Sequence, residues 1–133
     1  MLAANLRKGR GVAAGPLIAI IDDDDSMRSA VAALVRSAGY EALAFASAEE
    51  FLAYGTVGSF ACVISDIQMP GMSGIELKKH LAASQSAVPV IMITARHDLG
   101  LEEKAMASGA ACFLRKPFEA DALINCLQRA LET

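Results

Sequence analysis

The chain has 133 residues, of which 54% are hydrophobic and none is Trp, so it is long enough for one domain with a well-buried core and too short for two ordinary domains. A formal net charge of -3 argues against a nucleic-acid-binding surface, which needs clustered Lys and Arg. No apolar run approaches the roughly 20 residues that a membrane-spanning helix requires.

The N-terminal residues 1–15 are rich in Ala, Gly and basic side chains, a composition typical of a flexible tail. Arg7, Lys8 and Arg10 precede the apolar stretch 11–21, an arrangement that superficially imitates a signal peptide. No small-residue cleavage site follows, and cleavage there would remove the first predicted strand. We therefore predict a flexible N-terminal tail over residues 1–15, one domain over residues 16–133, and a cytoplasmic location.

Short apolar runs alternate with segments whose apolar residues recur at helical spacing. The second run is the weakest, which suggests an edge strand, and the third is wholly apolar, as a central parallel strand should be. This alternation predicts parallel strands joined by crossover helices. The predicted strands cover residues 17–21, 41–46, 61–65, 90–94 and 111–115. The first predicted helix begins near residue 25, and the other four cover residues 48–54, 75–83, 99–108 and 119–131.

Two helix starts carry recognisable capping residues. Asp25 or Ser26 is suited to cap the first helix by accepting from its free amides, and Gly39 lies where that helix should end. Ser47 can cap the second helix, and Glu50, three positions later, would complete a capping box.

The three cysteines form no CxxC or metal-ligand spacing with one another or with His. Cys62 and Cys112 lie within apolar runs, where a small buried thiol packs well. We therefore expect Cys62, Cys112 and Cys126 to be structural thiols in a reducing compartment.

Polar side chains follow or end four of the five predicted strands. Asp22 and Asp23 follow the first strand, Asp66 follows the third, Thr94 ends the fourth, and Lys116 follows the fifth. In open parallel sheets the ligand crevice lies beyond the carboxyl ends of the strands. These residues are therefore expected to converge on one crevice.

Three converging carboxylates indicate a cation site. At about 4.5 Å and an effective dielectric near 20, each ionised pair repels by roughly 3 to 4 kcal/mol, which favours protonation or a bound divalent cation. Oxygen-only ligands suit Mg²⁺, with Mn²⁺ as a substitute. Lys116, Thr94 and the free amides after Asp66 would surround a phosphoryl group with complementary charge, and Asp66 would be the nucleophile.

Four segments are informative together: Ile20 to Asp24, Asp66 to Gly74, Ile93 to Ala95, and Phe113 to Phe118. Through these segments the chain resembles the receiver domains of two-component response regulators over about residues 17–131. The resemblance implies a doubly wound α/β fold: a five-stranded parallel sheet with the flavodoxin-like strand order 2-1-3-4-5 and five helices. It also implies that the domain predicted over residues 16–133 is a receiver domain.

The resemblance assigns roles to the residues at the strand ends. It implies that Asp66 accepts a phosphoryl group from a sensor histidine kinase or a phosphotransfer protein. Asp23 and Asp66 would bind Mg²⁺ directly, with Asp22 acting largely through water and the main-chain carbonyl of Gln68 as a further ligand. Lys116 is similar to the family's phosphoryl-contacting lysine, and the Lys116–Pro117 bond to its cis peptide.

The resemblance also implies a switch. Thr94 would move toward the phosphoryl group and Phe113 would turn inward, reshaping the face formed by the fourth helix, fifth strand and fifth helix. That face would contact an output domain or effector protein, or a second copy of the chain on phosphorylation, with no direct contact to nucleic acid or membrane. Position 113 is Phe where Tyr is frequent in the family, and an ordinary core role for Phe113 stays open.

Two other functions compete with a signalling module. A multiple-turnover phosphohydrolase with an aspartyl-phosphate intermediate would need a second carboxylate two residues beyond its nucleophile, where this chain has Gln68. An inactive scaffold would be expected to lack one of the key side chains, and all are present. We therefore expect a phosphoacceptor with at most self-phosphorylation and self-dephosphorylation activity, rather than an enzyme.

Overall fold

The computed structural model describes residues 15–132. The flexible tail predicted over residues 1–15 lies outside this part, apart from Gly15. Within residues 15–132, no helix combines the length and the apolar character needed to cross a bilayer.

The described residues form one parallel sheet with helices on both faces. Its strand order is β2-β1-β3-β4-β5, which confirms the predicted fold. The strands are β1 (Leu17–Ile21), β2 (Glu41–Phe45), β3 (Cys62–Asp66), β4 (Val90–Thr94) and β5 (Cys112–Arg115). The helices are α1 (Asp25–Ser37), α2 (Ala48–Tyr54), α3 (Gly74–Ala83), α4 (Leu101–Ala107) and α5 (Ala120–Leu131), with a short 3-10 turn at Val57–Ser59.

The strands carry apolar side chains on both faces, so the sheet separates two hydrophobic cores. One core contains Ala19 and Met92 from the strands and receives α2, α3 and α4. The other contains Ile20 and Ile91 and receives α1 and α5. Because helices cover both faces of the sheet, a ligand can reach the sheet at the carboxyl ends of the strands.

The first helix begins one residue earlier than its expected caps imply. Asp24 has an extended backbone, and its Oδ1 accepts hydrogen bonds from the main-chain N–H groups of Ser26 at 2.9 Å and Met27 at 3.1 Å. The prediction that Asp25 or Ser26 caps this helix was therefore wrong, because both already lie within its first turn.

The second helix has only half of its predicted capping box. Ser47 Oγ accepts from the N–H of Glu50 at 3.0 Å, as expected, but Glu50 Oε1 accepts from Ala46 rather than from Ser47. A complete capping box occurs at α3, between Ser73 and Glu76.

An aromatic cluster packs beside the edge strand β2. The rings of Phe45 and Phe51 lie with centroids 5.4 Å apart in an edge-to-face arrangement, and Phe60 lies 5.3 Å from Phe51. Tyr54 lies 5.5 Å from Phe45 and is half exposed. Edge-to-face contacts of this kind stabilise the packing of α2 against the sheet.

The expectation of three unlinked thiols holds for Cys62 alone. Cys62 is a free, buried thiol, whereas Cys112 and Cys126 form a disulfide. The linked residues are 14 positions apart in sequence, and their Cα atoms are 6.0 Å apart because α5 packs across β5. This pairing is a tertiary contact without a sequence motif, so the spacing of the cysteines did not reveal it.

Candidate functional site

The polar residues predicted to converge do lie together at the carboxyl edge of the sheet. Asp22 follows β1, Asp66 is the last residue of β3, Thr94 is the last residue of β4, and Lys116 follows β5. The strand register places Asp66 opposite Ile93, next to Thr94. Parallel strands in this register bring their ends to one crevice.

Three carboxylates form the acidic part of the site. One carboxylate oxygen from each of Asp22, Asp23 and Asp66 lies within 4.8 Å of the other two. Asp22 and Asp66 are buried, whereas Asp23 is exposed to solvent. An all-oxygen donor set with one solvent-facing member fits a hard divalent cation that keeps part of its water shell, such as Mg²⁺.

Lys116 connects the end of β5 to these carboxylates. Its Nζ donates to Asp22 Oδ2 at 3.2 Å and lies 3.6 Å from Asp66 Oδ2, and its side chain is only 14% exposed. The main-chain N–H of Lys116 donates to the carbonyl of Thr94 at 2.8 Å, which fixes the residue beside β4. The Lys116–Pro117 bond is cis, as the family resemblance implies.

The surroundings of Asp66 change its acidity. The pKa of this carboxyl is raised from 3.8 to about 6 as a net result: burial raises it most, the Lys116 ammonium lowers it, and the negative charge of Asp22 raises it. Near neutral pH the group is therefore ionised but costly to keep charged. A bound cation would offset that cost.

Tight backbone packing holds the chain that follows Asp66. The N–H of Ile67 donates to Ile93 at 2.8 Å, and the N–H of Gly74 returns to Ile67 at 3.0 Å. A Cβ atom added to Gly74 would lie 2.6 Å from the main-chain oxygen of Asp66 and 3.3 Å from Ser65 Oγ. Sequence reasoning assigned Gly74 no role, although a glycine directly after a helix-capping serine is a signal of close backbone approach.

Glu49 is a second contributor that the sequence did not reveal. Its Oε2 accepts from the N–H of Met72 at 2.9 Å, so a residue at the start of α2 holds the loop after Asp66. Gly71 within this loop has a left-handed backbone with φ of 77°. No short-range pattern points to a contact between segments this far apart in sequence.

The two predicted switch residues lie on neighbouring strands. Thr94 is fully buried, and its Oγ1 accepts from the N–H of Arg96 at 3.0 Å. Phe113 is half-buried, with the Arg115 guanidinium 5.1 Å from its ring centroid. Arg115 Nη1 also lies 3.7 Å from Glu102 Oε1 of α4, so the guanidinium beside the ring is paired with a carboxylate.

Gln68 has an exposed side chain. Its main-chain N–H donates a hydrogen bond to the Asp66 carboxyl, and this hydrogen bond lowers the pKa of Asp66. The role of its carbonyl as a metal ligand stays a prediction.

Comparison with known sequences gives a consistent family. The model of the response regulator receiver domain matches residues 18–128. The transcriptional regulatory protein FixJ of Bradyrhizobium diazoefficiens is 43% identical over 114 residues, which cover 86% of this chain and 56% of FixJ. The C4-dicarboxylate transport transcriptional regulatory protein DctD of Rhizobium meliloti is 40% identical over 122 residues, covering 91% of this chain and 26% of DctD. The chain thus spans about half the length of FixJ and about a quarter of DctD.

Solved structures show the same architecture. The crystal structure of FixJ-N superposes with a TM-score of 0.80 at 33% identity, covering 88% of this chain and 94% of that one. The chemotaxis protein CheY4 of Vibrio cholerae superposes with a TM-score of 0.79 at 34% identity, covering 89% of this chain and 100% of that one.

Proposed function

Because the chain belongs to the response regulator receiver domain family, the phosphoacceptor modules of two-component signalling, we propose that Asp66 is the residue that takes the phosphoryl group. The observation that carries this assignment is the position of Lys116 Nζ, 3.6 Å from Asp66 Oδ2. Asp66 also belongs to the cluster with Asp22 and Asp23, in which one carboxylate oxygen of each residue lies within 4.8 Å of the others. No other described carboxylate group of three or more converges in this way.

The proposed transfer needs no general base. An ionised Asp66 oxygen attacks the phosphorus of a phosphohistidine in line, a new O–P bond forms, and the P–N bond breaks with its electron pair going to the imidazole nitrogen. Lys116, whose Nζ lies 3.6 Å from Asp66 Oδ2, would pair with the phosphoryl oxygens. Thr94, a buried residue at the end of the adjacent strand β4, would supply a hydroxyl beside them. The donor would be a sensor histidine kinase or a phosphotransfer protein.

Asp22, Asp23 and Asp66, with the main-chain carbonyl of Gln68, would hold Mg²⁺, and Mn²⁺ could substitute. The family generally uses Mg²⁺, and the all-oxygen donor set of this site supports it. When bound, the cation would neutralise charge on the phosphoryl oxygens. Self-phosphorylation from small phosphodonors and self-dephosphorylation are the only activities proposed.

The output is proposed to pass through Thr94, Phe113 and the face formed by α4, β5 and α5. An output domain or effector protein would contact that face, and a homodimer on phosphorylation is the alternative. The names of the relatives FixJ and DctD, both transcriptional regulatory proteins, support an output domain as the partner of this face. The receiver boundary at residue 16 and the cytoplasmic location are part of the proposal.

The phosphohydrolase alternative is not favoured. Such an enzyme would need a second carboxylate two residues beyond Asp66. That position is occupied by Gln68, whose exposed side chain is an amide. The family match also points to signalling rather than turnover.

Intact-mass measurement after incubation with acetyl phosphate and Mg²⁺ tests the assignment of Asp66. We expect one added phosphoryl group on the unaltered protein and none on Asp66→Asn. Asp121→Asn, which removes an exposed carboxylate in the first turn of α5, is the matched control and should retain the adduct. An adduct that survives in Asp66→Asn would refute the proposal.

A further inference from the structure

The disulfide between Cys112 and Cys126 joins two elements of the sheet's β5 edge. Cys112 is the first residue of β5, and Cys126 lies within α5. Their linkage ties the strand that leads to Lys116 to the helix that follows it.

The two sulfur atoms lie beside a cation. Nη2 of Arg129 is 3.7 Å from Cys112 Sγ and 3.9 Å from Cys126 Sγ. A guanidinium at this distance favours thiolate over thiol, and the thiolate is the form that attacks oxidants and disulfides. The position of Arg129, one turn after Cys126 on α5, therefore suits sulfur chemistry.

Cys112 is also accessible, whereas Cys126 is buried within α5. Cys112 is half-buried, and together with the exposed Arg129 it lines a surface groove of about 410 Å³ between α4, β5 and α5. Glu102 and Met106 form the α4 side of this groove. A small oxidant or a reducing thiol can thus reach Cys112 from solvent.

The third cysteine has the opposite setting. Cys62 is fully buried in β3, and burial raises the pKa of its thiol to about 12. A thiol that stays protonated and shielded is unreactive. Cys62 is therefore an internal reference for the reactivity of the other two.

We propose that Cys112 and Cys126 are a reversible thiol–disulfide modification site that ties β5 to α5. Disulfides in reducing compartments are usually transient and redox-sensing rather than structural, and a cytoplasmic receiver domain would be in such a compartment. The reduced and oxidised forms would then exchange according to the oxidants and thiols present.

The oxidant is a hydroperoxide. The Cys112 thiolate attacks one peroxide oxygen, the O–O bond breaks, and the other oxygen leaves as hydroxide or alkoxide, giving a sulfenic acid. The Cys126 sulfur then attacks the Cys112 sulfur, the S–S bond forms, and the sulfenic oxygen leaves as water after protonation. The two sulfurs have lost two electrons in total to the peroxide, and a dithiol reverses the change by thiol–disulfide exchange.

The test counts alkylated cysteines by intact mass. The full chain is reduced with dithiothreitol, freed of reductant, treated with hydrogen peroxide, then unfolded and alkylated with iodoacetamide. We expect three alkyl groups on the reduced protein and one on the oxidised protein, located at Cys62 by peptide mass, with dithiothreitol restoring all three.

Variants test whether disulfide formation depends on Cys112, Cys126 and Arg129 and not on other residues. Cys62→Ala should still form the disulfide, whereas Cys112→Ser and Cys126→Ala should not, and Arg129→Gln should slow its formation several-fold. Asp66→Asn should form it at the unaltered rate, so a failure of the phosphoacceptor proposal would not affect this result. The inference is overturned if peroxide-treated protein still takes three alkyl groups, if the new bond links two chains, or if dithiothreitol cannot reduce the folded protein.

Discussion

Nζ of Lys116 lies 3.6 Å from Oδ2 of Asp66, although β4 separates the two strands that lead to these residues. The lysine side chain therefore passes over the end of β4, where Thr94 is fully buried. It reaches Asp22 as well, at 3.2 Å, so one ammonium group is shared by two carboxylates. Any anion that binds at Asp66 would compete for this shared charge.

Replacing Lys116 should separate cation binding from the response to phosphate. Lys116→Ala leaves all three carboxylates in place, so Mg²⁺ alone should still raise the melting temperature. Beryllofluoride with Mg²⁺ should add little further, whereas in the unaltered protein a ligand at a hundredfold its Kd adds about 2.7 kcal/mol of stability. Differential scanning calorimetry measures both shifts. Lys79→Ala, at an exposed lysine of α3, should behave like the unaltered protein, and a full beryllofluoride shift in Lys116→Ala would contradict this role.

Asp66 should make stability fall as pH rises. Its folded-state pKa of about 6 exceeds the ordinary value of 3.8, so the folded protein binds this proton more tightly than the unfolded chain does. The stability linked to Asp66 is therefore greatest below about pH 4 and declines up to about pH 6. In the presence of a chelator, Asp66→Asn should stabilise the protein at pH 7.5 by on the order of 2 to 3 kcal/mol and much less at pH 4.

Urea unfolding at the two pH values measures this difference. Asp121→Asn, which removes an exposed carboxylate, should leave the pH dependence unchanged. An equal gain for Asp66→Asn at both pH values would show that burial does not perturb the Asp66 carboxyl.

Gly74 should tolerate no side chain. In Gly74→Ala the new methyl group would lie 2.6 Å from the main-chain oxygen of Asp66, and overpacking of this kind costs about 1 to 3 kcal/mol. Gly58→Ala is the matched control, because nothing lies within 4 Å of its added Cβ. The unfolding midpoint in urea should fall for Gly74→Ala and change little for Gly58→Ala, and equal midpoints would refute the close approach.

The parallel strands, their crossover helices and the position of the site followed from local sequence patterns, whereas the strand order came with the family resemblance. Short apolar runs that end in polar residues specify parallel strands, and the geometry of such sheets brings Asp22, Asp66 and Lys116 to one edge. The strand and helix bounds were close for the same reason. The predicted start of α4 at residue 99 was two residues early, because Gly100 takes a left-handed backbone with φ of 81° and the helix begins at Leu101.

The features that were missed depend on contacts between distant segments. The Cys112–Cys126 disulfide requires α5 to pack across β5, and the Glu49 carboxylate reaches Met72 from the start of another helix. Neither contact leaves a periodic pattern in the sequence. The half-formed capping box at Ser47 shows the same limit at short range, since Glu50 has a choice of amide donors and takes that of Ala46.

The aromatic cluster beside β2 determines what intrinsic fluorescence can report. The sequence has no Trp and two Tyr, and both tyrosines flank β2: Tyr40 precedes it and Tyr54 packs against Phe45. Tyrosine emission therefore reports on the edge strand β2, whereas Phe113 lies in β5 at the opposite edge of the sheet. A single tryptophan placed at the fully exposed Leu99 would act as an optical probe near α4 without any background signal from another indole.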